Sequence, residues 1–300
     1  MDTPHDIAVK PGEPRVYYPT TSVCPGCSRL VPAVVVGRDN GVFVERECPE
    51  HGFFSGVVCS DRAWWDSLPR FDVPPVKPKN PLRMVDKGCP SDCGLCSSHR
   101  QIAGTAAIEI SNRCNANCPV CLADNKGTFD LTPAQVRTMI EGLLQRQDRV
   151  DALALSGGEP TIHPQIFEII TEAERFPGVA RIALNSNGVR IAQDDAFLDE
   201  LKKHPKVYVS LHFDGSGART LRGIDRSLQE RALERLDRWG IDAAPLVLVA
   251  KGVNEGELGE LCNSLLRRPS VRSVVVSLMT YAGSGGSTFA GDALTRLTIP

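Results

Sequence analysis

Beyond residue 104 the chain alternates short apolar runs with longer amphipathic stretches. The runs at residues 106–111, 151–155, 181–185, 206–214, 245–250 and 271–279 have the length of strands. The intervening stretches 133–147, 164–176, 194–204, 227–239 and 255–267 read as helices. Strands that alternate with helices of this length predict parallel βα units. Six of them predict an α/β fold, a partial (β/α)6 TIM-like barrel. Thr132-Pro133 and His163-Pro164 place proline where a first helical turn accepts it.

Period-two alternation sharpens the prediction. In the fourth run Val207, Val209, Leu211 and Phe213 alternate with Tyr208, Ser210, His212 and Asp214. In the third, Ile182 and Leu184 alternate with Ala183, Asn185 and Asn187. In the first, Ile108 and Ile110 alternate with Ala107, Glu109 and Ser111. One set faces the helices and the other the barrel interior. The small and polar set is assigned inward, which predicts a cavity for a polar ligand rather than the branched apolar filling of a closed barrel. Parallel βα folds build their sites at the carboxyl ends of strands. Those ends carry Cys114–Cys121, Gly157–Pro160, Asn185–Gly188, His212–Gly215 and Lys251–Asn254, all on one rim. His163 and His212 lie near it, with helix-start and interior hydrogen bonding as their expected roles.

Before the barrel the pattern changes. Residues 71–81 hold four prolines, which remove backbone donors and favour extended chain. The expected organisation is a metal domain at 15–70, a proline-rich linker at 71–83, a cysteine-bearing segment at 84–104, the barrel at 105–282 and the start of a further region at 283–300. The Trp64-Trp65 pair is expected as packing between the small domain and the barrel.

Composition narrows the function classes. The 300 residues are 42% hydrophobic with a formal net charge of −2, so neither a basic nucleic-acid surface nor an acidic disordered tail is indicated. No apolar run reaches membrane-spanning length, and the first residues lack a signal-peptide core. A soluble, cytoplasmic protein is predicted. Of eleven cysteines, ten fall between Cys24 and Cys121, mostly in C-x2-C and C-x3-C-x2-C groups. In a reducing compartment that spacing indicates metal ligation rather than disulfides. Cys262 stands alone and reads as a small buried apolar residue.

Three cysteine groups carry the candidate chemistry. Cys114, Cys118 and Cys121 can hold three corners of a [4Fe-4S] cube, leaving its fourth iron without a protein ligand. The next strand ends in Ser156-Gly157-Gly158-Glu159-Pro160, a turn that admits close backbone approach. Cys89, Cys93 and Cys96 repeat the triplet spacing and predict an auxiliary [4Fe-4S] cluster, with zinc as the alternative. Cys59, Cys262 and His99 are candidate fourth ligands there. Cys24-Pro-Gly-Cys27 and Cys48-Pro-Glu-His51 form two knuckles around a hairpin turning at Asp39-Asn40-Gly41, a zinc-ribbon or rubredoxin-like site for mononuclear zinc or iron. Cys59 is an alternative to His51.

A cysteine loop and a glycine-rich turn from consecutive strand ends resemble the radical S-adenosylmethionine (SAM) enzymes. The resemblance covers residues 100 to 280. It implies that Cys114, Cys118 and Cys121 ligate a cluster whose open iron binds SAM, and that reductive cleavage yields a 5′-deoxyadenosyl radical. It further implies SAM contacts from Val120, Gly157, Gly158, Glu159, Pro160, Asn185, Asn187, Ser210 and Asp214, with the 251–254 segment near the adenine. The residue before the last cysteine is often aromatic in that family and is Val120 here. An external electron donor of flavodoxin or ferredoxin type is implied.

From Cys24 to Met279 the order of motifs resembles the archaeal tetraether lipid synthases and the radical-SAM methylases that act on a pterin. That subgroup joins or methylates unactivated sp3 carbons, which implies a lipid or small-molecule substrate. Its members continue past the sixth strand, so the expectation is a truncated relative or a fragment. The rival expectations are an enzyme modifying a peptide or natural product, and a non-catalytic Fe–S protein of electron transfer or assembly.

Overall fold

The computed structural model describes residues 14–72, 74–81, 83–87, 92, 96–123, 125–280, 283–289 and 297–298. It divides into two units, Met1–Pro74 with Ala290–Pro300, and Pro75–Phe289.

The first unit is a four-stranded antiparallel sheet in sequence order: β1 (Arg15–Val23), β2 (Leu30–Arg38), β3 (Gly41–Cys48) and β4 (Gly52–Cys59). The expected hairpin is β2–β3, which turns through Asp39 at φ 50°. The flanking strands were not separable by pattern, because most of β1 is exposed and β4 is only half buried. Helix α1 (Arg62–Ser67) follows, capped by the Asp61 carboxylate, which accepts the Trp64 N–H at 2.9 Å. Two small apolar clusters hold the sheet. One joins Cys24, Val31 and Cys48 with Phe54, and the other joins Val35, Val42 and Cys59 with Tyr17, Trp64 and Trp65. The tryptophan pair thus packs within the ribbon's own second cluster.

The second unit opens with β5 (Thr105–Arg113), β6 (Lys126–Asp130) and α2 (Pro133–Gln147). It continues as β7 (Val150–Gly157), α3 (Ile166–Glu174), β8 (Val179–Ser186), α4 (Asp195–Leu201) and β9 (Val207–Leu211). Then come α5 (Ala218–Arg222), α6 (Arg226–Trp239), β10 (Leu246–Val249), α7 (Leu258–Leu265), β11 (Val275–Leu278) and α8 (Gly283–Thr288). One sheet has the order β6-β5-β7-β8-β9 and another pairs β10 with β11. Parallel bridges Val209↔Ala243 and His212↔Leu246 carry the arc onward. Six parallel strands therefore make the partial barrel. Strand β6 is an addition, an antiparallel edge strand on β5 in a stretch too short and polar to signal itself.

The local chemistry explains the elements. Helix α2 begins at a capping box between Thr132 and Gln135, with Pro133 in its first turn, and α6 ends where Gly240 turns left-handed at φ 65°. Strands β7 and β8 carry consecutive fully or nearly buried residues, Leu153-Ala154-Leu155 and Ile182-Ala183-Leu184, as parallel strands covered on both faces do. Each of those leucines and the isoleucine stabilises the fold by roughly 1.5–3 kcal/mol through burial.

Candidate functional site

In the ribbon, Cys24, Cys27, Cys48 and His51 bring their ligand atoms within 4.8 Å of one another. Cys48 Sγ lies 3.5 Å from His51 Nδ1 and 3.8 Å from Cys27 Sγ. The hydrogen bond from His51 is the largest influence holding the Cys48 thiol below its ordinary pKa, which favours the thiolate a metal needs. A Cβ at Gly26 would meet the His51 ring at 2.5 Å, so the knuckle closes on the histidine only with glycine there. Cys59 does not join this set. It sits in the other apolar cluster, its Sγ 3.1 Å from the Asp61 carbonyl, and so does not replace His51.

At the barrel rim β5 runs straight into the second cysteine set. Cys114, Cys118 and Cys121 line a cavity of about 330 Å³ together with Gly157, Gly158 and Glu159. Two sulfurs already meet N–H donors: Cys114 Sγ the Ala116 amide and Cys121 Sγ the Asn125 side chain, both at 3.4 Å. Burial pushes the Cys118 thiol up to about 11, against the pull of the nearby Arg222 guanidinium, and it raises Cys114 as well. Three soft donors at a cavity mouth fit an iron–sulfur cluster. They are also set apart more widely than the ribbon ligands, which form the one cluster of single-ion dimensions among the described residues.

The glycine turn is built onto the strand that feeds the cysteine loop. Gly158 N–H donates to the Ser111 carbonyl at 2.7 Å, and Glu159 N–H to that of Arg113 at 2.8 Å. A Cβ at Gly157, whose φ is +121°, would lie 2.1 Å from Ser111 O, and one at Gly158 would lie 2.0 Å from Arg113 O. Backbone proximity excludes every other residue there.

Glu159 is buried and saturated. Its carboxylate accepts from Thr161 N and Oγ1, Ser186 Oγ and Asn187 N, at 2.6–3.1 Å. Burial raises its pKa while those donors pull it back, and four donors suit the ionised form. Glu159 thus ties the turn to the end of β8. Asn187 in turn donates to Asn115 Oδ1 at 2.8 Å, inside the cysteine loop. Pro160 starts a short 310 turn and is buried.

The remaining predicted residues divide. Asn185, Glu109 and His212 line the cavity; Ser210 and Asp214 are buried outside its lining. Asp214 accepts from the Leu248 N–H at 2.8 Å and from Arg222 Nε at 2.9 Å. Asn254 is occupied by the Asp214 and Leu248 carbonyls and the Ala250 amide. Val120 packs with Leu221 and Ala250, beside Leu248 and Met279, giving the cavity an apolar wall. His163 fits its expected helix-start role, bonded to the Leu131 carbonyl and the Gln165 amide at 3.0 Å each. His212 departs from expectation, since its buried Nδ1 has no hydrogen-bond partner among the described residues. Arg222, a cavity residue, escaped the sequence reading because no periodicity links it to Asp214.

Of the Cys89, Cys93 and Cys96 triplet, Cys89 and Cys93 lie outside the described residues, and Cys96 is buried. Cys262 is half buried on α7. A cleft of about 390 Å³ lined by residues of α6 and α7 is slightly larger than the rim cavity, but its described lining holds no cysteine or histidine. No helix among the described residues is long and apolar enough to cross a membrane.

Comparison with known proteins bears on both centres. Residues 16–60 match the HMPTM N-terminal zinc ribbon domain, and residues 108–265 match the radical SAM superfamily. The 7,8-dihydro-6-hydroxymethylpterin dimethyltransferase of Methanocaldococcus jannaschii is 30% identical over 249 residues, 80% of this chain and 48% of that protein. Pre-heme d1 synthase of Dinoroseobacter shibae is 29% identical over 61% of this chain and 45% of its own length. The crystal structure of Streptococcus suis SuiB bound to S-adenosylmethionine aligns with 60% of this chain and 41% of its own at 16% identity, with a TM-score of 0.48. The chain spans about half the length of these curated relatives.

Proposed function

The chain belongs to the radical SAM superfamily, and from that premise we propose that its rim cavity serves to functionalise an unactivated sp3 carbon of a pterin-like substrate, by methylation or carbon–carbon bond formation. The superfamily implies a [4Fe-4S] cluster, SAM and an external reductant. Bound together, cluster and SAM supply reductive chemistry able to remove hydrogen from an unactivated carbon.

One observation carries the reading: three thiols and the 157–159 turn open onto a single cavity that is also lined by His212, whose buried Nδ1 has no partner among the described residues. Cys114, Cys118 and Cys121 would hold the cluster. The backbone of Gly157, Gly158 and Glu159 offers its carbonyls and amides to the amino-acid end of SAM, a position that Glu159 and Pro160 keep rigid. Asn185 supplies a free amide to the ligand, Ser210 and Asn187 shape the strand ends beside it, and Val120 with Leu248 gives a purine an apolar face. Asp214 acts at one remove by fixing Arg222, whose charge lies beside Cys118. The pterin-like substrate is supported by the 30% identical dimethyltransferase. The ribbon would bind zinc or iron, and Cys89, Cys93 and Cys96 an auxiliary cluster.

The test is anaerobic reconstitution with iron and sulfide, then reduction with SAM present. 5′-Deoxyadenosine from the wild type and none from Cys118→Ala is the expected result. Supplying 7,8-dihydro-6-hydroxymethylpterin should then give a product heavier by one methylene unit or more. Deoxyadenosine without any pterin-derived product would retain the radical chemistry and overturn the substrate.

A further inference from the structure

The rim cavity has two unlike walls. Its apolar side comes from Leu246, Leu248 and Met279; its polar side comes from Glu109, Ser156, Asn185 and His212, on or at the ends of four neighbouring strands. Glu109 and Ser156 are register partners on β5 and β7. The polar side is not engaged with the protein. His212 Nδ1 is buried without a partner among the described residues, and Glu109 is exposed at the cavity, with no hydrogen bond or ion pair to any described residue. Two carboxylates line the cavity among the described residues, and the other one, Glu159, is saturated by four donors. Glu109 is therefore the carboxylate of this cavity with acceptor capacity left over. The single cation of the lining among the described residues, Arg222, is held by Asp214.

This charge arrangement selects the ligand. The free carboxylate of Glu109 and the ionised one of Glu159 oppose an anionic group near β5, so a phosphate is disfavoured there. A hydrocarbon chain would strand the polar wall without partners, at the usual penalty for unmet buried polar groups. A flat heterocycle that presents adjacent N–H donors on one edge meets both walls: the edge reaches the carboxylate and the face lies on the leucines. The 2-amino-4-oxo edge of a pterin is such a donor pair, N3–H beside the exocyclic amino group, and a carboxylate accepts both in the forked geometry it uses with arginine.

Resting on the function proposed above, we propose that Glu109 is the specificity-determining residue of this site, reading the N3–H and 2-amino edge of a pterin-class substrate while Leu246 and Leu248 pack its ring.

Equilibrium dialysis of the reconstituted full chain against two probes tests this. The probes are 7,8-dihydro-6-hydroxymethylpterin and its lumazine counterpart, in which the 2-amino donor is replaced by an oxo acceptor. The wild type should prefer the pterin by roughly 10- to 100-fold, the value of one or two hydrogen bonds to a charged acceptor. Glu109→Gln should collapse that ratio towards one, and Glu109→Asp should restore part of it. The ratio does not depend on the folded fraction of a variant, so loss of protein cannot imitate the effect. A wild-type preference that survives Glu109→Gln overturns the role of Glu109 and leaves the pterin reading standing. Equal binding of both probes by the wild type overturns the edge reading by Glu109. Binding of neither overturns the pterin substrate and this assignment together.

Discussion

The ribbon gathers four ligand atoms within 4.8 Å and closes them around one point, whereas the barrel rim spreads three thiols along a cavity and surrounds them with uncommitted groups. In the ribbon each ligand comes from the chain and no position is left for a reactant, the mark of a metal that holds structure. At the rim the cysteine loop, the glycine turn and the polar wall come from different strand ends and converge without saturating the site. The difference teaches that cysteine count says little about role; what surrounds the sulfurs decides it.

The largest expected effect breaks the ribbon alone. Its two apolar clusters are small, so metal binding, on the order of 10 kcal/mol for a structural site, is most of its folding free energy. Cys48→Ser, or a strong chelator, should abolish amide-exchange protection across β1–β4 while β7 and β8 keep theirs. Protection that persists in the ribbon would show that its sheet folds without metal and would erase the contrast with the rim.

The second test attacks the rim through its backbone. In Gly158→Ala the new methyl group would lie 2.0 Å from the Arg113 carbonyl, which belongs to the strand feeding the cysteine loop. Neither backbone can yield without losing the bonds from Gly158 and Glu159 to β5. A stability loss of roughly 2–4 kcal/mol is expected in denaturant unfolding of the barrel, together with impaired cluster loading. A neutral outcome would mean that the turn is not mounted on β5 as described.

How much of this was legible beforehand follows from the range of each signal. The six barrel strands and their rim were readable because a parallel strand repeats its burial pattern locally, as Ile182, Leu184, Val207 and Val209 do. The ligand sets were readable because thiolate spacing is a short-range property. Strand β6 was not readable: five residues, Lys126 to Asp130, are paired mainly through backbone to β5, and nothing in their order announces it. The part played by Arg222 was hidden for a related reason, since its bond to Asp214 spans a loop and a turn with no fixed spacing. Glu159 reads in the sequence as part of a turn, yet two of its four donors, Ser186 and Asn187, lie at the end of another strand. Contacts between elements are settled by topology, and topology is what the pattern of one element cannot carry.

A smaller effect reports on the uncommitted side of the rim. Burial first, and Arg222 second, push the His212 imidazole down to about 3 from an ordinary 6.5. The unfolded chain therefore binds this proton more readily than the folded one. Stability from the neutral ring is complete above pH 6.5 and is lost as pH falls from 6.5 towards 3. Because the ring is partly open to the cavity, the loss should be roughly 1–3 kcal/mol. His212→Gln, neutral throughout, should flatten the acid limb of the stability profile by that amount. An unchanged limb would mean that Nδ1 is not buried without a partner.

The smallest effect returns to the ribbon and inverts the glycine argument made at the rim. Ser28, just past the first knuckle, is exposed and sits at φ 58°, with its amide donating to the Cys24 carbonyl at 2.9 Å. A left-handed backbone costs a side-chain-bearing residue about 1–2 kcal/mol. Glycine removes that cost but gives back roughly 0.5–1 kcal/mol through the greater freedom of the unfolded chain. Ser28→Gly should therefore stabilise the metal-loaded ribbon by about 0.5–1 kcal/mol, read as a higher chelator concentration at half-loss of metal, and Ser28→Ala should leave it unchanged. At Gly158 a neighbouring backbone forbids the side chain, and at Ser28 only the local conformation objects. If both substitutions at Ser28 behave alike, strain is not what limits the knuckle, and the closure of the ribbon rests on its four ligands alone.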